Sequence, residues 1–536
     1  MKRAIYAIVL TIATSCTSAN TIDNISNTAK TVSSILDKYI HSNEPGCSVV
    51  VTDGVNSHFS SKGLASLEYG ATLSAQTKML TASTSKQFLG YAVLQLVNQG
   101  KLNLDDNLGK LLPAFKNYSH IKLHQLLNHT SGVRSHWAIF ELMGKSLFDQ
   151  YQPSLVTEIL TSAKLDFEPN NRYLYSNGGY FLLTKVLEEV TQQPFAQYMK
   201  QAIFNPLGMT DTEYLDDYKR VIVNRADGYM KSEAGEFVAM RTHSEIIGPG
   251  HIITTAHDFA KWANYLLSLD LEQFFTHLKW YSKSKDGGQV NYFAGLFKEK
   301  YNGDLVYQHA GYYENWRQGF SLYPERNLAI VSLCNRADIS TNKLGFSLAE
   351  ALLNWEDANN EEKSYLNKSN VGIYFSKKLN ELISIRAHKG SLYYISPANS
   401  SYAQLIYNAK NKSYKGLTFK QNNSFIFSKN GLVFHSPIVT GEFTKLNFNI
   451  NKQVSDKIIG KYKHEGGLGI IDVVKSDKGI KVTLEHIGEL EYLPTHGDVW
   501  VDLENLSTIV ITEQDNKTML NLSLKHIKSL QFFLEY

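Results

Sequence analysis

Cysteine is scarce: three residues in 536, at Cys16, Cys47 and Cys334, exclude both a disulfide-dense scaffold and a zinc-ribbon array. Charge of one sign is lacking too. With 54 basic and 51 acidic residues, net +3, the chain is too balanced for a dedicated nucleic-acid binder. Beyond the first turns of the chain, no run approaches the ~18 apolar residues that a membrane-spanning helix needs. No phosphate loop, dinucleotide fingerprint or cluster of metal ligands stands out, and scattered histidines such as His251 and His257 read as structural or exposed. What is present is an ordinary globular composition, 43% hydrophobic and 20% charged, on a length that calls for about two to four domains.

The N-terminus carries an address. Lys2 and Arg3 precede an apolar run from Ala4 to Ala13, the charged and hydrophobic parts of a secretory signal rather than a membrane span. Thr17-Ser18-Ala19 is a small-x-small pattern, so cleavage after Ala19 and a periplasmic or secreted protein are expected. A lipoprotein signal acylated on Cys16 is the alternative, and Ala13 suits it poorly.

Strand signals open the mature part. Cys47 to Val51, an Asp53-Gly54 turn and Asn56 to Ser60 read as a hairpin. A helix follows from about Ser85 to Gln99, apolar on most of its circumference, which places it in a core. Helix and loop patterns run to about Trp280. Leu305–Gly311, Gly319–Tyr323 and Leu328–Cys334 then read as three strands, with a helix through Leu344 to Trp355 closing the unit. Hairpin, helical block, meander and final helix suggest one α+β domain. After the charged stretch Glu356 to Lys363, short strands dominate. Two segments start alike, Val371-Gly372-Ile373-Tyr374 and Ile459-Gly460-Lys461-Tyr462, as two small antiparallel β modules or two halves of one barrel would. The expected division is a signal at 1–19, a catalytic domain at 30–357, a linker at 358–366, and β modules at 367–455 and 456–536. The first module holds 13 basic and 2 acidic residues counted from Lys363, the second 9 and 13. That basic excess would suit docking on the acidic domain or on an anionic envelope surface; a solvated lysine-rich face is the plainer alternative.

Three short patterns could carry chemistry. In Ala82-Ser83-Thr84-Ser85-Lys86 the serine and lysine share one face of a first helical turn, where a partly desolvated lysine can activate the hydroxyl. Tyr175-Ser176-Asn177 offers a phenol for proton transfer and an amide to hold both lysine and substrate. His309-Ala310-Gly311 on a strand would let a substrate backbone lie alongside, with the next amide donating to an oxyanion. Each is weak alone. Ser119…Lys122 and Ser282…Lys285 repeat the first spacing, and Tyr313…Asn315 and Tyr365…Asn367 the second.

Their order along the chain carries more. Together with Gly100 to Asp106, Leu126-Leu127-Asn128-His129-Thr130-Ser131-Gly132, Asn205-Pro206-Leu207-Gly208-Met209 and Gly248-Pro249-Gly250, the set resembles the serine β-lactamase and penicillin-recognising enzyme superfamily. The likeness runs from about Ile35 to Trp355, in the class C, D-aminopeptidase and esterase branch. It implies a β-lactamase/DD-peptidase-like α+β domain, an antiparallel sheet flanked by helices plus a helical subdomain, followed here by all-β modules. It makes Ser83 the acylated nucleophile, Lys86 its activator, Tyr175 the general base and later acid, and Asn177 a substrate-orienting residue. Gly311, Tyr312 and Arg317 join them at the substrate, with an oxyanion hole from the Ser83 and Tyr312 amides. His129 and Ser131 belong to the same signature and read as turn and capping residues. No cofactor or metal is implied.

Two departures from the pattern matter. His309 stands where many relatives have lysine, so a preference for substrates without a carboxylate beside the scissile bond is expected, shifting as the histidine protonates. Tyr312 to Arg317 holds three aromatic residues where many relatives are glycine-rich, which narrows the pocket. The expected function is therefore a Ser83 acyl-enzyme hydrolase of D-amino-acid peptides, amides or esters. A non-catalytic binding protein and a weak β-lactamase are the alternatives. The implied fold also sets Cys47 and Cys334 on neighbouring strands, as a disulfide or as buried thiols. The sequence says nothing of oligomeric state.

Overall fold

The computed structural model describes residues 25–535, apart from 146–148, 280, 282, 286–289, 314, 356–365, 389, 397–400, 409–410, 417–423, 436–439, 450–451, 465–468, 496–497, 515–516 and 525–526. The expected signal, Cys16 and most of the expected linker lie outside the described residues.

Strand β1 (Cys47–Thr52) is buried along its whole length. Cys47, Val49 and Val51 join one apolar cluster while Val50 joins another, and a strand apolar on both faces belongs inside a sheet. It pairs antiparallel with β2 (Ser57–Lys62) through the turn at Asp53, whose carboxylate accepts from the Val55 and Asn56 amides at 2.9 and 2.6 Å. On its other edge lies a strand from far along the chain. The remaining strands are β3 (Tyr292–Phe293), β4 (Leu296–Tyr301), β5 (Asp304–Tyr313), β6 (Trp316–Tyr323) and β7 (Leu328–Cys334), and the seven-stranded order is β3-β4-β5-β6-β7-β1-β2. The β1–β7 register sets Cys47 directly opposite Cys334, and the two are disulfide-bonded.

Helices cover both faces of this sheet. α1 (Ile25–Asp37) and the final helix of the domain, Thr341–Leu352, pack on the face that holds Val49, Val51 and Ile330. Ala256–Leu267 brings Phe259, Trp262 and Ala263 to the opposite face. Behind it lie α2 (Lys86–Asn98) and α3 (Asn177–Thr191), whose buried positions include Phe88, Leu89, Val93, Phe181 and Leu182. The all-round apolar pattern of α2 is thereby explained: it is the central helix of a helical layer.

The C-terminal region is two closed eight-stranded antiparallel barrels, between residues 372–445 and 460–534. Closure comes from first-to-last pairing, Phe375 with Thr444 and Lys463 with Phe533, so neither barrel leaves an open edge. Their similar openings have one structural role. Gly372 and Gly460 take φ of +156° and +142°, which favour glycine. Two residues on, Tyr374 and Tyr462 donate to the carbonyls of Asn370 and Ile458 at 2.8 and 3.0 Å. Both barrels touch the preceding domain. Leu142, at the end of helix His136–Leu142, packs in the core cluster of the second barrel. Arg172 Nη1 donates to the Leu379 carbonyl of the first.

Candidate active site

Ser83 lies in a 3-10 turn, Ala82–Ser85, that feeds directly into α2. The preceding Ala82 has φ +49°, a left-handed conformation costly for a residue with a Cβ. Strand β5 holds it there: a Cβ on Gly311 would come within 2.4 Å of the Thr81 carbonyl oxygen, so only glycine lets the strand lie against this turn. Helix order then brings Lys86 onto the same face as Ser83.

Lys86 is completely buried. Burial pushes its amine well below the usual lysine pKa, since a charged ammonium loses its hydration there. Its Nζ lies 2.7 Å from Asn177 Oδ1, 2.7 Å from the Pro249 carbonyl oxygen and 3.2 Å from Ser83 Oγ. A neutral amine has two N–H bonds and one lone pair. All three contacts are donations from Nζ to oxygen; once the amine is neutral it can keep the two short ones and turn its lone pair to the Ser83 hydroxyl.

Asn177 is the first residue of α3, fixed by Ser176, whose side chain caps the helix by accepting from the Gly179 amide at 3.0 Å. His129 Nδ1 accepts from the Ser176 amide at 3.1 Å, and its ring lies 4.3 Å from that of Tyr175. His129 thus holds the Tyr175–Asn177 segment in place. Burial raises the Tyr175 phenol above its usual pKa, with Ser83 nearby drawing it back down. Its hydroxyl makes no hydrogen bond of ordinary geometry. The Lys86 Nζ lies 4.9 Å from the centre of its ring.

A cavity of about 230 Å³ opens over the serine, lined by Ala82, Ser83, Asn177, Trp137, Ile246, Pro249, Gly250, His251, Tyr312 and Tyr313. Tyr312 is half exposed at its rim. The three aromatic walls make it narrow, and the chain offers no lysine or arginine among the described lining residues.

Three expected substrate contacts, His309, Gly311 and Arg317, are not among the residues that line the cavity. His309 is buried, accepts at Nε2 from the Tyr292 hydroxyl (3.0 Å), and donates from Nδ1 to the Ala310 carbonyl (2.6 Å). Burial, with Lys86 and against the Ala310 bond, pushes its pKa down to about 3. It is not among the cavity's lining residues. The expected change of substrate preference as His309 protonates near neutrality is therefore corrected: the ring stays neutral there, because it sits behind Tyr175 in an aromatic layer. Arg317 donates to the Trp316 and Tyr313 carbonyls at 2.8 and 3.3 Å and stacks 5.3 Å from the Tyr312 ring. It braces the β5–β6 end rather than lining the cavity.

Sequence reasoning missed Trp137 and Ile246, which carry no motif, and met Tyr313 only as one of the three aromatic residues between Tyr312 and Arg317. It also read His251 as structural or exposed, although that residue follows the Gly248-Pro249-Gly250 stretch and lines the cavity. The Pro249 partner of Lys86 is a backbone carbonyl and has no side-chain signature.

Comparison with known proteins places this geometry. The family described as Beta-lactamase matches residues 32–351, and the chain belongs to that family. It is 26% identical over 275 residues to a D-aminopeptidase of Brucella anthropi, covering 51% of this chain and 52% of that protein. With Protein flp of Staphylococcus aureus (strain MRSA252) it shares 27% over 305 residues, 54% of this chain and 59% of the relative. The chain thus spans about half the length of the curated relatives it matches. Among solved structures, the octameric penicillin-binding protein homologue from Pyrococcus abyssi aligns with TM-score 0.54 and 20% identity, over 77% of this chain and 99% of that one. The D-amino acid amidase of Ochrobactrum anthropi SV3 gives 0.51 and 21%, over 61% and 99%. At these identities the structures share the fold.

Proposed function

We propose that the protein is an exported, metal-independent serine hydrolase that forms a Ser83 acyl-enzyme on D-amino-acid amides, peptides or esters. The observation that carries this reading is the buried Lys86 amine, its pKa lowered by burial, held by Asn177 Oδ1 and the Pro249 carbonyl at 3.2 Å from Ser83 Oγ. Lys86 takes the Ser83 proton as Oγ attacks the substrate carbonyl, and the Ser83 and Tyr312 amides receive the oxyanion. The ammonium so formed stands 4.9 Å from the Tyr175 ring centre, and a positive charge that close makes the phenol more acidic. Tyr175 gives its proton to the leaving nitrogen or oxygen and regains one from the incoming water. Its raised resting pKa suits a donor, so the base toward Ser83 is Lys86 rather than a tyrosinate. The substrate class is supported by the names of the D-aminopeptidase and D-amino acid amidase relatives and by the narrow aromatic cavity. The excess of lysine in the first barrel would add contact with an anionic envelope surface.

The test is a panel of D-aminoacyl amides, D-Ala-D-Ala peptides, short esters and a chromogenic β-lactam, with Ser83→Ala as control. Turnover of the D-aminoacyl substrates that vanishes in the control supports the reading. A β-lactam as the preferred substrate overturns the substrate class. A Ser83 inert to every substrate and to a fluorophosphonate overturns the enzyme.

A further inference from the structure

A second cavity, of about 820 Å³, lies where the β-lactamase-family domain and both barrels meet. None of its described lining residues lines the cavity over Ser83. It has the volume of an ordinary small-molecule site, and junctions between folded units are where such sites collect.

Its charge is one-sided. Arg172 and Lys285 come from the family domain and Lys377 and Lys378 from the first barrel. Asp498, of the second barrel, is the one carboxylate among the described lining residues, which leaves the wall at +3. The backbone fixes this gathering. Lys377 and Lys378 lie in the turn between the first two strands of the first barrel, Gly372–Ser376 and Glu381–His388. That turn is tied to both neighbours. The Leu379 carbonyl accepts from Arg172 Nη1, and Asn380 Nδ2 donates to Ser523 Oγ of the second barrel at 2.9 Å. The Lys285 amide donates at 2.7 Å to the carbonyl of Asn170, two residues before Arg172. Like charges held in one cavity repel, and an anion seated among them turns that cost into attraction.

The rest of the lining narrows the kind of anion. The amides of Asn171, Asn380 and Asn521 and the hydroxyls of Thr444 and Thr512 can both donate and accept. Leu446, Val499 and Val510 add an aliphatic patch. Both barrels are closed, so neither offers a strand edge for a peptide to pair with. A bare inorganic anion would use the cations alone. A sugar brings hydroxyls for the amides and C–H faces for the aliphatic patch.

We infer that this three-way junction is a binding site for an acidic sugar. Its carboxylates or phosphates sit among Arg172, Lys285, Lys377 and Lys378, and its hydroxyls meet the asparagine and threonine side chains. The site is separate from the proposed reaction at Ser83 and does not depend on it.

The test is calorimetric titration of the full-length protein at low salt, where exposed charges are least screened. The probes are fructose bisphosphate, digalacturonate, maltose and tripolyphosphate. At least one of the two acidic sugars should bind, and the tighter of them shows whether phosphate or carboxylate is the preferred charge. Its Kd should rise about tenfold in Lys285→Gln/Lys377→Gln, a few-fold for each exposed cation. It should fall a few-fold in Asp498→Asn, an opposite sign that misfolding does not produce. Lys429→Gln, an exposed lysine of the first barrel outside the cavity, should leave it unchanged. Five results would each overturn the inference: no heat from either acidic sugar at millimolar concentration, maltose binding as well as they do, tripolyphosphate binding as well as they do, an unchanged Kd in the double variant, or an equal loss in Lys429→Gln.

Discussion

Replacing Lys86 by methionine removes, at about constant volume, an amine whose pKa burial lowers. In the unfolded chain a lysine keeps its proton up to about pH 10.4. Each pH unit by which burial lowers that pKa costs the folded state about 1.4 kcal/mol. The variant escapes this cost but strands Asn177 Oδ1 and the Pro249 carbonyl, at about 1–3 kcal/mol for each bare acceptor. The two effects oppose each other. They separate with pH. Where the folded amine has lost its proton and the unfolded chain still carries one, wild-type stability rises with pH relative to Lys86→Met by about 1.4 kcal/mol per unit, up to about pH 10. The same substitution should slow fluorophosphonate labelling of Ser83 by about 10²–10⁴, the usual worth of a positioned base. The assay is unfolding of the catalytic-domain transition at pH 7, 8 and 9 for both proteins, with labelling rates alongside. Parallel stability curves would mean that Lys86 is charged when folded, and the argument for a neutral amine would fall. Unchanged labelling would remove Lys86 from the reaction.

Two further outcomes are expected. His124, His136, His251 and His309 are all held well below the usual histidine pKa, chiefly by burial, so each binds a proton only on unfolding. Stability should then fall as pH drops below about 6.5, by about 1.4 kcal/mol per residue at pH 5.5; a thermal midpoint flat between pH 7.5 and 5 would contradict this. The Cys47–Cys334 bond closes a separation of 287 residues, so Cys47→Ala with Cys334→Ala should cost about 3–5 kcal/mol, provided the unfolded chain is otherwise unconstrained. Thiol titration of the denatured, unreduced protein that finds both cysteines free would refute the bond.

Much of the catalytic constellation was legible because it rests on local geometry. Ser83 and Lys86 share a face through helical pitch alone, and Asn177 follows a serine that caps its helix. The hairpin from Cys47 and the strands ending at Cys334 were likewise readable from alternation and turn residues. His309 was placed on the right strand and given the wrong surroundings. Its neighbours Tyr292, Tyr175 and Phe297 come from three separate segments, and no spacing along one segment reveals how they enclose a ring.

The sequence by itself determined the secondary elements, the order of the motifs and the family, since each depends on residues near one another or on their succession along the chain. Tertiary structure alone decided the lowered pKa of Lys86, because that depends on burial beneath Asn177 and the Pro249 carbonyl, 91 and 163 residues away. It also decided that the C-terminal region is two barrels rather than halves of one. The openings at Gly372 and Gly460 are alike under either arrangement. Which strand meets which at closure, Phe375 with Thr444 and Lys463 with Phe533, is a non-local pairing that only the folded chain specifies.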